Sequence, residues 1–484
     1  MPFAIAIAAA GESQRRWWVL AILVAAQFMF VVDAFVLNVA IPSIRAELHA
    51  TVGETQGAIV IYQIAFAALI ITGGRLGDIT GAKPVFLYGL LGFTLASLSC
   101  GLAQSGGALV AWRAMQGAAA ALMIPQVLAS IHRLFPDAER GRAFGAYGFT
   151  LGFGAAVGLV LGGWLSSMDI AGLGWRTIFF VNVPVGTVLA CAAWQLMPAL
   201  PGQPGKRLDI IGAATLLAAL VCLLGPLLVG TDHGRPAWLF AAMAAGAGLL
   251  VALWRIERWV ERRRGGLPLV HLELLRDRGF ATGLGAVFCF TFANLSFYLV
   301  LMLYLQLGLH LPPLQAGSVV LPLALAFAVM SRVAGPRAQR LGIAALLQGC
   351  GVQLAGLLIA GIALAVGGTS PRALAVLLIV WGMGQAMVMA PLYGLVLAKV
   401  PAVHSGSGGG VISTVQQIGN ASGVALVGAL YYAVQATASA RVAILASLVA
   451  LGAAIAVTAM LLHLLRQQRV DPIRAVCAAR KPLP

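Results

Sequence analysis

The chain of 484 residues is 61% hydrophobic and 10% charged, with a mean hydropathy of +0.95, which excludes a soluble globular domain and describes a polytopic helical membrane protein. Its formal charge of +16 reflects 31 Lys and Arg against 15 Asp and Glu; mapped onto the apolar runs, 25 of those cations fall on one side, five on the other, and Arg113 within a run. That asymmetry places the N-terminus in the cytoplasm, so the basic surplus speaks to membrane orientation and against nucleic-acid binding.

Residues 1–16 put their apolar part before Arg15-Arg16, the reverse of a secretory leader, and read as a cytoplasmic anchor with Trp17 and Trp18 at the interface. Apolar runs of spanning length then fall at about 17–42, 55–74, 84–104, 107–131, 142–166 and 176–198. Two more lie at about 209–230 and 236–256, and six more at 280–305, 314–333, 341–366, 372–398, 406–434 and 441–465. The expectation is an all-α fold of fourteen transmembrane helices. A six-helix bundle would span 17–198, an inserted pair 209–256, a cytoplasmic linker 257–279, a second bundle 280–465 and a cytoplasmic tail 466–484.

The connections fit this order. Arg75 and Lys83, then Arg133, Arg140 and Arg142, then Lys206 and Arg207, and later Lys399 mark the cytoplasmic side. The linker carries Arg262-Arg263-Arg264. Gly74 to Lys83 after the second run is echoed by Gly335 to Gly342 after the tenth, a glycine and arginine turn in corresponding places that suggests two repeated halves. The six cysteines show no C-x-x-C spacing and read as small buried hydrophobes, so no metal or cofactor is expected.

Chemistry concentrates in few places. Asp33 is the one acid well inside an apolar run, and insertion scales charge roughly 2.5–3.5 kcal/mol for it, which marks a functional site by default. Burial disfavours the charged form of a lone carboxyl, so Asp33 could exchange protons near neutral pH; partnering a polar group on another helix is the alternative. Arg113 is the second deep charge, with Gln116 and Gly117 on its face. It either biases Asp33 or snorkels to the outer interface. Gly154, Gly158 and Gly162, followed by Gly163, form a flat stripe for close helix approach. Polar and aromatic candidates for a central cavity are Phe35, Asn38, Tyr62, Gln63, Gln116, Gln126, Asn294, Tyr298, Gln385, Tyr393, Gln416, Gln417 and Asn420.

These residues carry a resemblance. Asp33 to Pro42 resembles the Asp-x-Thr-Val-Val-Asn-Val-Ala-Leu-Pro motif of the fourteen-helix drug:proton antiporter family of the major facilitator superfamily. Gly74, Asp78, Gly81 and Lys83 resemble the superfamily's signature turn, and Arg113, Gln116 and Gly117 its fourth-helix motif. Trp175 to Gly186 resembles the sixth-helix signature of this branch, the most specific match, and Gly406 to Gly423 adds another. Phe35 stands where the first motif has Thr, Ile79 and Ala82 replace basic residues of the turn, and Leu159 replaces the fifth-helix proline.

The resemblance implies a non-enzymatic transporter of a bacterial inner membrane, with both termini cytoplasmic and alternating access around a central cavity. Asp33 and Arg113 would couple protons, the turn with Lys83 and Arg142 paired to Asp78 would gate, and a proton gradient would drive export of amphipathic small molecules. A dedicated exporter of one metabolite, antibiotic or siderophore, or a solute:proton symporter, stays open. So does a periplasmic adaptor protein beside an otherwise monomeric chain.

Overall fold

The computed structural model describes residues 11–168, 172–199, 202, 209–233, 237–262, 276–367, 370–398, 400 and 405–479. Lys206, Arg207, Arg263, Arg264 and Lys399 lie outside the described residues, as does most of the expected linker. In a bilayer every backbone polar group must be satisfied within the chain, which leaves the helix as the unit for runs this apolar. Successive rods are α1 Glu12–Leu48, α2 Val52–Thr80, α3 Ala82–Gly101, α4 Gly106–Leu134 and α5 Asp137–Ser167. A broken rod α6, Gly174–Leu196, completes the first set. The pair α7 Ile210–His233 and α8 Ala237–Arg262 follows. The second set is α9 Arg278–Gly308 and α10 Pro313–Leu341, then α11 Ile343–Val366, α12 Pro371–Leu397, α13 Ser405–Thr437 and α14 Ala440–Ala479.

Among the described residues, 11 of these rods are long and apolar enough to cross a membrane by length and composition. Of the other three, α5 and α7 contribute the shorter apolar stretches Val157–Ser167 and Ile210–Pro226, and α13 carries Gln416, Gln417 and Asn420 along its length. Helix α1 is longer than its apolar run at both ends, and α14 continues through much of the expected tail to Ala479. Caps set several starts. Thr51 Oγ1 accepts from Glu54 N while Glu54 Oε2 accepts from Thr51 N, a capping box on α2, and Ser105 and Ser370 cap α4 and α12.

Packing repeats. In the first set α1 packs on α5, α2 and α3 on α4, and α3 on α6; in the second α9 packs on α13, α10 and α11 on α12, and α11 on α14. The turns echo as well: Gly81 between α2 and α3 has φ 99° and Gly342 between α10 and α11 has φ 57°, backbone that glycine adopts without Cβ strain. The two sets meet along α2 against α13 and α5 against α10, and α7 lies over the α2–α13 seam.

The end bearing the α2–α3 turn is here termed the basic end. At the opposite end the sets are pressed together. A Cβ on Gly163 of α5 would overlap the Pro313 carbonyl oxygen of α10, and one on Gly317 would lie 2.7 Å from the Leu159 carbonyl oxygen. Towards the basic end, Gly145 and Gly148 of α5, Gly335 of α10 and Gly394 of α12 have no atom within 4 Å of the corresponding point. Helix α5 runs unbroken through Leu159, which is fully buried, so leucine in place of proline keeps the backbone ladder intact there.

Candidate functional site

Asp33 and Arg113 meet. Residue 33 of α1 and residue 113 of α4 are 1% and 0% exposed, and Arg113 Nη1 donates to Asp33 Oδ2 at 2.5 Å. The guanidinium does not snorkel: its Nε donates to the Ala58 carbonyl (3.2 Å), Nη1 also donates to Gln116 Oε1 (2.8 Å), and its plane lies 4.0 Å over the Tyr62 ring. Close approach of α4 to α2 permits this, since a Cβ on Gly117 would overlap the Tyr62 carbonyl oxygen. The other carboxylate oxygen, Asp33 Oδ1, accepts from Gln116 Nε2 at 2.9 Å and from Asn182 Nδ2 at 3.0 Å. Asn182 Nδ2 also donates to Ser97 Oγ (3.0 Å), and Ser97 donates onward to the Phe179 carbonyl (3.0 Å).

This corrects the picture of a lone carboxyl in an apolar wall. Three donor groups and a positive charge converge on Asp33, contacts that the ionised form makes fully and the neutral acid only in part. Removing one member of such a buried pair is far costlier than its net contribution to stability.

A cavity open to solvent lies between the two helix sets. Of the expected lining, Phe35, Gln63, Asn294, Tyr298, Gln385, Tyr393, Gln416, Gln417 and Asn420 border it. Its wall is largely aromatic and amidic, and no charged side chain belongs to it among the described residues. Tyr298 Oη donates to Gln385 Oε1 at 2.7 Å, Asn420 Nδ2 to Gln417 Oε1 at 2.7 Å, and Gln353 Nε2 to Asn294 Oδ1 at 3.1 Å.

Four expected cavity residues lie elsewhere. Gln116 belongs to the Asp33 cluster, and Tyr62 is the platform under Arg113, its ring also stacked with Phe30 at 6.0 Å. Asn38 turns back along α1 and donates to the Phe35 carbonyl at 3.1 Å. Gln126 sits nearer the basic end and donates to the Gly73 carbonyl at 2.8 Å, tying α4 to α2. Gln116 and Gln126 are held by bonds to neighbouring helices, Asn38 by a bond along its own helix, and Tyr62 by its ring contacts.

The turn also differs from expectation. Asp78 Oδ1 lies 3.8 Å from Arg133 Nη2 of α4, not beside Lys83 or Arg142. Lys83 Nζ donates to the Trp194 carbonyl at 2.7 Å, and the Arg142 guanidinium lies 5.4 Å over the Trp17 ring. Gly74 faces Pro125 of α4, and Gly81 supplies the turn. The glycine stripe of α5 divides its work: Gly154, Gly158 and Gly162 face Val31, Val32 and Val36 of α1, whereas Gly163 faces α10.

Asn182, Ser97 and the second buried acid Glu257, 2% exposed on α8, had not been singled out from the sequence. The signal for Asn182 was available: an amide just before Val183-Pro184 in a run otherwise apolar.

Two repeated six-helix sets, a buried acid–base pair in one and a central cavity between them define a multi-pass membrane transporter. Residues 23–210 and 201–424 match the family model described as Major Facilitator Superfamily, and the chain belongs to that family. Its members are transporters rather than enzymes. The chain is 37% identical over 431 residues to the probable actinorhodin transporter of Streptomyces coelicolor, covering 88% of this chain and 74% of the relative. It is 34% identical over 437 residues to the puromycin resistance protein pur8 of Streptomyces alboniger, covering 86% and 82%. The tetracenomycin C resistance and export protein of Streptomyces glaucescens is 28% identical over 87% of this chain and 77% of its own. In fold, the chain is similar to the crystal structure of the peptide transporter POT in complex with alafosfalin, with TM-score 0.67, 15% identity and coverage of 95% and 99%.

Proposed function

We propose that this transporter is a proton-coupled exporter of uncharged or weakly charged aromatic small molecules, antibiotics among them, across a bacterial inner membrane with both termini cytoplasmic. The observation that carries it is the fully buried Asp33–Arg113 pair one helix thickness from an uncharged aromatic cavity. An ionisable pair held at membrane depth is expensive, and proton relays are where such pairs persist. The basic end faces the cytoplasm by the charge bias, so the cavity described here would load from inside.

The relatives named for actinorhodin, puromycin and tetracenomycin favour a dedicated antibiotic exporter as much as a broad one. Both readings share one energetic requirement. A proton moved down 100 mV supplies about 2.3 kcal/mol, enough for roughly 50-fold accumulation of a neutral solute.

Proteoliposomes with an imposed pH gradient test the coupling. Wild type should concentrate substrate and move internal pH together. Asp33→Asn mimics the protonated carboxyl and should bind neutral substrate and permit downhill flux, yet lose uphill export. Uphill export at the wild-type rate by the Asn variant would remove Asp33 from the coupling step.

A further inference from the structure

The sixth-helix stretch Trp175 to Gly186 is distinctive in sequence, and one of its residues, Asn182, reaches Asp33 Oδ1. Arg176 anchors the far end of α6, donating through Nη1 to the carbonyls of Gly101 (2.9 Å) and Ala103 (2.6 Å) and pairing with Glu47 at 3.0 Å. The rod is interrupted at Val181, and Pro184 cannot donate to the Phe180 carbonyl a turn earlier. Gly186 lets α6 close on α3, since a Cβ there would overlap Thr94 Oγ1. Between anchor and close approach stands Asn182, 4% exposed, bridging Asp33 Oδ1 and Ser97 Oγ.

We infer that Asn182 is a positioning residue of the proton site: together with Gln116 it fills both acceptor positions of Asp33 Oδ1, so a proton adds at Oδ2, at the acceptor position beside the one Arg113 Nη1 holds. The inference rests on the proton-coupled reading above. A carboxylate oxygen offers about two acceptor sites, and Oδ1 already receives Gln116 Nε2 and Asn182 Nδ2. Oδ2 receives Arg113 Nη1. A proton delivered by hydronium forms the O–H bond at the second position of Oδ2 and leaves neutral water; Arg113 keeps its own proton, and its hydrogen bond to Asp33 weakens because the acceptor is no longer charged. Protonation thereby loosens the tie between α4 and α1. The titratable or charged groups facing this cluster are Tyr62 on α2, Cys100 on α3 (Sγ 3.8 Å from Gln116 Oε1) and Arg113 on α4; α5 and α6 place none against Asp33 among the described residues.

The experiment is the pH profile of substrate/proton exchange in proteoliposomes. Asn182→Leu removes a donor to the carboxylate while keeping the branched shape at Cγ. It should shift the midpoint to alkaline pH by about one unit, because hydrogen bonds to the ionised form favour it. Asn182→Ser, too short to span Asp33 and Ser97 together, should shift it in the same direction and is the variant to use if the leucine form does not reach the membrane. A midpoint unmoved in either inserted variant overturns the inference. Independently of any variant, a pH-step infrared difference spectrum of the wild-type chain carrying ¹³C-labelled asparagine should show an amide band moving with the carboxyl band. Silence of the labelled bands overturns it too. The two readings separate cleanly: if Asp33→Asn still drives uphill export, the proton reading fails, whereas if that variant is uncoupled and the Asn182 variants keep the wild-type midpoint, only the role of Asn182 fails.

Discussion

Asp33 and Phe35, two residues apart on α1, face different chambers. The Asp33 carboxylate is enclosed in the first helix set against Arg113, while the Phe35 ring borders the central cavity and packs edge-on against Tyr298 of α9 at 5.4 Å. Two residues advance a helix by about 200°, so a single rod presents opposite faces to the two sites. Helix α1 is therefore both the wall between them and the shortest mechanical link. Substrate has no need to touch the carboxylate; it need only bias the position of α1.

The first prediction concerns Arg113. Arg113→Ala leaves Asp33 buried without its cation and should destabilise the protein by about 3–5 kcal/mol. Pairing Asp33→Asn with Arg113→Gln removes both charges and should recover most of that loss, without restoring uphill export. Thermal unfolding in detergent, followed by monodispersity, measures the first effect, and gradient-driven flux the second. If the single Arg113 variant is as stable as wild type, the pair is not what holds α1 to α4.

How much of this was legible in the sequence depends on the residue. Asp33 and Arg113 stand out because a charge in an apolar run has few innocent explanations. The helix order follows from hydropathy for the same reason. Neutral amides are different: Gln116, Gln126 and Asn182 occur in helices that could turn any face inward, and only packing decides which neighbour they meet. Gln126 was thus expected in the cavity and instead ties α4 to the Gly73 carbonyl. Asp78 shows the same limit, since proximity in sequence pointed to Lys83 while the helix axes bring Arg133 alongside.

A second prediction follows from the sealed end. A side chain at Gly163 must displace the Pro313 backbone. Gly163→Val should cost about 1–3 kcal/mol in this conformation, as overpacking does, and bias the molecule toward separation at the far end. In a cysteine-free background, a cysteine at Gln416 should label more slowly from the basic side when Gly163→Val is present. Unchanged labelling would mean that α5 and α10 yield without opening.

The third concerns the α2–α3 turn. Asp78 and Arg133 belong to the same helix set, with side chains 45% and 32% exposed. Such a pair contributes at most about 1 kcal/mol. Asp78→Asn should therefore leave thermal stability and substrate binding nearly unchanged while slowing turnover, because α2 is one of the two rods across which the halves meet, with Thr414 Oγ1 of α13 donating to the Ala67 carbonyl at 3.1 Å. Normal transport by the variant would reduce the turn to a connector.

The last prediction tests the cavity's chemistry. Among the described residues its lining holds six aromatic side chains, Phe30, Phe35, Phe290, Tyr298, Phe327 and Tyr393, and a set of amides, with no side-chain charge. A cationic ligand entering such a site loses hydration and finds no counter-charge, whereas a neutral aromatic ligand gains apolar burial and ring contacts. Gln63 borders the cavity from α2 and is 2% exposed, so Gln63→Glu places a carboxyl at its edge with little change in volume. The variant should bind a cationic aromatic dye at least about tenfold more tightly than wild type does, a gain of about 1.4 kcal/mol, and a neutral aromatic ligand no better. Equilibrium binding to detergent-solubilised protein, at two ionic strengths, measures both. Tight binding of the cation by wild type, with no gain in the glutamate variant, would show that ring faces alone hold the charge and that the uncharged lining does not select against it.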